Sequence, residues 1–174
     1  EIGVCGFDPT FEWDSEEAVQ TMRYELANPD PRRLWCVADA LRSGMSVDEL
    51  YQVSKIDPWF LAQIEDLIRE ETRLTEMALS DLDRDSLWRL KRKGFSDKRL
   101  AALLEVSEKE LRERRLMLDI RPVYKRVDTC AGEFTTPTAY LYSTYEDECE
   151  ANPSNADKIM VLGGGPNRIG QGIE

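Results

Sequence analysis

The sequence predicts an all-α, multihelical fold of two similar helical subdomains, followed by an extended segment and a truncated β-strand with a glycine-rich loop. Three observations carry that expectation. Helix-capping residues stand directly ahead of apolar residues spaced three and four apart. One helix-turn-helix pattern returns 50 residues later without a gap. After Pro122 the helical spacing gives way to alternation.

Residues 1–13 are mixed and short, and read as the exit of a preceding unit. Asp14, with Glu17 three residues on, reads as a capping box that opens a first helix carrying Val19, Met22 and Leu26. Asn28-Pro29 and Pro31 stop it, because the residue before a proline is pushed out of the helical region. A helix over Leu34–Arg42 ends at Gly44, which can take the left-handed conformation. Ser46-Val47-Asp48-Glu49 opens the next with Leu50 and Val53 inward. Asp57-Pro58 starts a third, whose stripe is Phe60, Ile64, Leu67, Ile68 and Leu74.

The repeat then aligns Gly44 with Gly94, Met45 with Phe95, Ser46 with Ser96, Leu50 with Leu100, Ile56 with Val106 and Leu61 with Leu111. Ser107-Glu108-Lys109-Glu110 is a further capping box. Upstream, Leu34-Trp35 resembles Leu87-Trp88, three residues closer to its glycine. Each of two subdomains then leaves an apolar face for the other or for a partner. Trp13, Trp35, Trp59 and Trp88 read as packing anchors, with Trp35 and Trp88 as candidates for a subdomain or subunit contact. Thr138 to Tyr145 reads as extended, with tyrosines at alternate positions. Asn152-Pro153-Ser154-Asn155 reads as a linker. Ile159-Met160-Val161-Leu162, bounded by glycines, reads as a buried parallel strand that would need more chain to be covered. The chain opens without Met and closes within that unit, so a piece of something longer is expected. The domain reading is therefore 1–13, 14–156 and 157–174.

Composition limits the chemistry. With no histidine, a Ser/His or Cys/His nucleophile pair cannot form within this chain, and the commonest zinc ligand is missing. Cys5, Cys36, Cys130 and Cys149 make no C-x-x-C pair and read as reduced thiols of a cytoplasmic protein. No apolar run nears the roughly 20 residues that span a bilayer. The net charge of -11 opposes nucleic-acid binding. Yet residues 84–126 hold 14 Lys/Arg against 7 Asp/Glu, while residues 1–83 hold 7 against 19. The basic stretch reads as a face that pairs with the acidic one, within the chain or between copies. The alternative is a stand-alone interaction or DNA-binding module using Lys91, Arg92, Lys93, Lys98 and Arg99 around the second turn. The acidic clusters Glu16-Glu17, Glu70-Glu71 and Glu146-Asp147-Glu148 read as solvated surface. The Gly163–Gly165 loop lacks the third glycine of a dinucleotide fingerprint and the lysine of a P-loop. An anion site and a plain turn both stay open for it.

Specific resemblance enters with VYKRVDTCAGEFTTPTAYLYSTYEDECEANP (123–153) and KIMVLGGGPNRIGQGIE (158–174), and with DALRSGMSVDEL, IDPWFLAQIEDL and LKRKGFSD upstream. Together they resemble the large subunit of carbamoyl phosphate synthetases, at the helical connection between its two synthetase halves and the first residues of the second half. The resemblance implies a non-catalytic linker and oligomerisation domain that self-associates, contacts both flanking halves and holds no cofactor or metal. For the parent it implies an ATP-dependent ligase using ATP with Mg or Mn. It would make carbamoyl phosphate from bicarbonate and ammonia released from glutamine by a small glutaminase subunit, and would serve arginine synthesis, pyrimidine synthesis or both. It further implies that Arg168, Gly172 and Glu174 line an internal tunnel.

Overall fold

A computed structural model describes residues 5–9, 15–134 and 140–161. Among them lie seven α-helices: α1 Glu16–Ala27, α2 Arg33–Arg42, α3 Val47–Ser54, α4 Pro58–Leu74, α5 Arg84–Arg92, α6 Asp97–Leu103 and α7 Glu108–Met117. Two short strands, β1 Val123–Arg126 and β2 Leu141–Thr144, pair in one sheet. The chain divides into two units, one of residues 1–122 with 144–146 and one of 123–143 with 147–174.

The helices of the first unit form where caps and apolar spacing agree. Ser46 and Glu49 make a reciprocal capping box on α3, and Ser107 and Glu110 make another on α7. Asp57 caps α4 by accepting from the Trp59 N–H at 2.8 Å. At α1 the cap differs from expectation. Ser15 accepts from the Ala18 N–H at 3.1 Å, so Ser15 is the capping residue, while Asp14 lies outside the described residues. Arg33 closes the ends of two helices at once, donating to the carbonyls of Leu26 and Ser54.

Two cores result. Met22, Leu26, Val37, Leu50, Leu61 and Ile64 fill the first; Leu74, Leu87, Leu90, Leu100, Leu111 and Ile120 fill the second. The longest helix feeds both: α4 gives Leu61, Ile64 and Ile68 to one, and Leu67 and Leu74 to the other. Its buried stripe starts one residue later than the sequence implied. Leu61 is fully buried and Phe60 is 57% exposed, because the cap at Asp57 sets the helical phase.

The 50-residue repeat is real in three dimensions. Gly44 and Gly94 turn at φ +90° and +94°, and Lys55 and Glu105 take left-handed φ of 56° and 54° at matching positions. The upstream match fails in its detail. Leu34 is exposed and Leu87 buried, whereas Val37, 50 residues before Leu87, is buried. The core keeps the gapless register, and the Leu-Trp likeness three residues off it is superficial.

In the second unit, Val127 N–H donates to the Tyr140 carbonyl at 3.0 Å beside the strand pair. Glu150 accepts from the Arg126 N–H at 2.8 Å and from Lys125 Nζ at 3.2 Å. Both Tyr140 and Tyr142 are exposed. The expected strand at 159–162 is absent from its described part: Ile159, Met160 and Val161 are irregular and exposed. A parallel strand needs neighbours to bond and a layer to cover it, and among the described residues the only sheet is β1–β2.

Candidate functional site

The cations around the second turn were candidates for nucleic-acid contact. Most are consumed by the fold. Lys91 is buried and donates to Asp97 at 2.8 Å and to the Phe95 carbonyl at 2.6 Å. Lys93 bridges Asp66 at 2.7 Å and Glu70 at 2.8 Å. Arg99 is buried with its fork on Glu71. Arg92 stacks 4.6 Å from the Trp88 ring. The basic stretch thus meets the acidic one within the chain, as charge segregation implied.

Those bonds also correct the reading of Glu70-Glu71 as solvated. Both are buried. Glu70 takes Lys93 and Arg89, and Glu71 takes Arg42 at 2.7 Å and Arg99 at 2.8 Å. Nothing local marks these glutamates, since their partners lie 19 to 29 residues away. Asp97 is a third such centre, held by Lys91 and by Arg115 at 3.0 Å. Burial works to raise its pKa, but the hydrogen bonds and charges of Lys91 and Arg115 prevail and hold it below the ordinary 3.8. For Arg99, burial opposes the charged form, yet Glu71 and Asp8 outweigh it and raise its pKa.

The tryptophans divide. Trp35 is half-buried and donates from Nε1 to the Gly6 carbonyl at 3.0 Å, and Trp88 is half-buried against the second core. Neither is an open contact point. Trp59 is, at 63% exposed, in edge-to-face contact with Phe60 at 5.0 Å between ring centroids. In the second repeat the same two positions are Lys109 and Glu110. A surface pair of large aromatics where the sister repeat carries charges is a feature that packing does not require, because the sister folds without it.

Arg168, Gly172, Glu174 and the glycine-rich loop lie outside the described residues. Among the described residues no group of three or more Cys, Asp or Glu is arranged to hold a metal ion, and no helix is long and apolar enough to cross a membrane. All four cysteines are free thiols.

Two helical repeats joined by a shared helix, with polar junctions inside and an aromatic pair outside, define a multihelical, interaction-type domain. Residues 1–119 match the family described as carbamoyl-phosphate synthetase large chain, oligomerisation domain, and the chain belongs to that family. Over its whole length it is 62% identical to a carbamoyl phosphate synthase large chain of Pseudomonas syringae pv. tomato. It is 63% identical to one of Neisseria meningitidis serogroup B and 55% to one of Vibrio cholerae. The chain spans 16% of the length of each of these relatives.

Proposed function

We infer that this region self-associates and holds the flanking parts of a carbamoyl phosphate synthase large chain in register, contributing no catalytic group itself. What supports the reading is the family match of the helical residues together with the exposed Trp59–Phe60 pair, which gives self-association an apolar anchor. In this reading residues 1–13 leave one synthetase half, 14–156 form the connection and 157–174 begin the next half. The whole protein would be the ATP-dependent ligase, with Mg or Mn, a glutaminase small subunit as partner and a cytoplasmic setting. Arg168, Gly172 and Glu174 would face its tunnel.

Sedimentation velocity of the chain across a concentration series tests the association. We expect mass to rise with concentration, and to fall back to the monomer in the Trp59→Lys/Phe60→Glu variant, which copies the second repeat. A chain that stays monomeric throughout overturns the association role. A variant that associates as well as the wild type moves the contact away from this pair.

A further inference from the structure

Residues 5–9 carry a short turn whose fastening is unusual for so small a segment. Asp8 accepts the Cys5 N–H at 3.0 Å and closes the turn. Phe7 packs on the first core, and Trp35 of α2 holds the Gly6 carbonyl. Gly6 sits at φ +70°, and a Cβ there would lie 3.5 Å from the Arg99 side chain.

The remaining bonds converge on one buried carboxylate. Arg42 of α2 bonds the Phe7 carbonyl, Asp39 at 2.9 Å and Glu71 at 2.7 Å. Arg99 of α6 bonds Asp8 and grips both oxygens of Glu71, at 2.8 and 2.9 Å. Each repeat therefore sends one arginine to Glu71 of α4, and each of those arginines also holds the segment. The guanidinium fork is planar and its directions fixed, so Arg99 meets Asp8 only while it lies flat against Glu71.

We propose that residues 5–9 are a strap whose seating reports the register of the two repeats, with Glu71 as the coupling residue. Sliding α6 along α4 breaks the paired bonds to Glu71 and turns Arg99 away from Asp8, so the strap lifts. The coupling runs both ways: a strap pulled from outside biases the repeat register. The charges allow this without collapse. In Glu71→Gln, Arg42 keeps Asp39 at 2.9 Å, so the first repeat retains its ion pair, while Arg99 loses the carboxylate that holds its fork flat and with it the geometry that meets Asp8.

Hydrogen exchange and the fluorine resonance of 5-fluorotryptophan at Trp35, in the full chain, test this. In Glu71→Gln we expect exchange across residues 5–9 to rise roughly tenfold, the Trp35 resonance to shift, and the amides of α2 and α6 to stay protected. Arg99→Lys keeps the charge, loses the fork and should release the strap likewise. Glu70→Gln, whose partners do not touch the strap, should leave it seated. A strap that stays protected in both Glu71→Gln and Arg99→Lys overturns the proposal. So does loss of protection in helices and strap together, since Glu71 would then support the fold as a whole and couple nothing.

Discussion

The two repeats fill one slot in opposite ways. In the first, Leu41 at the end of α2 and Val47 at the start of α3 lie against the apolar core. Fifty residues on, the same positions are Lys91 and Asp97, a buried ion pair at 2.8 Å. Both solutions keep the glycine turn, the serine cap and the fully buried Leu50 or Leu100. A buried ion pair and an apolar contact are thus interchangeable at this junction. That is expected where desolvation nearly cancels attraction. They differ in what happens when one member is lost: an apolar partner leaves a gap, a charged one leaves an uncompensated ion.

The largest effect should come from that difference. Asp97→Val imitates the first repeat on one side only and strands both Lys91 and Arg115, so a loss of about 3–5 kcal/mol is expected in urea unfolding. Adding Lys91→Leu should recover part of it and no more, because Arg115 still lacks its carboxylate. A single variant that unfolds at the wild-type urea concentration would break the comparison.

A weaker form of the same loss should appear in acid. Asp97 titrates below 3.8 when folded, so its contribution is whole above the unfolded value and disappears as pH falls through the folded one. Stability measured from pH 5 downward (a range in which ordinary carboxylates also titrate) should fall less steeply in Asp97→Asn. An unchanged slope would show that Lys91 and Arg115 do not hold the ion.

The smallest effect concerns caps. Ser46 has Glu49 to return its hydrogen bond, while Ser96 has Arg99 at the matching position. Ser46→Ala and Ser96→Ala should each cost about 1 kcal/mol. A thermal melt that separates them would measure what the reciprocal glutamate adds.

The repeat was legible because its signals are local. Gly44 and Gly94 must turn at positive φ, and Ser46 and Ser107 announce helix starts within four residues. Only the first position of the α4 stripe was misread: Ile64, Leu67, Ile68 and Leu74 do line the cores, but Leu61 and not Phe60 opens the stripe. The buried junctions were illegible. Glu70 and Glu71 look like any charged helix face until Arg89, Lys93 and Arg99 arrive from the next repeat. The alternation of Tyr140 and Tyr142 did mark an extended stretch, whereas the apolar run at Ile159 named a strand whose described residues, Ile159 to Val161, are irregular and exposed.

α4 has one more consequence. Seventeen residues make a rod about 25 Å long, and it is embedded at one end in each oil-filled half of the helical unit. The backbone that links those halves is continuous helix. Unfolding either half strips part of the same helix, so the two halves should melt in one transition.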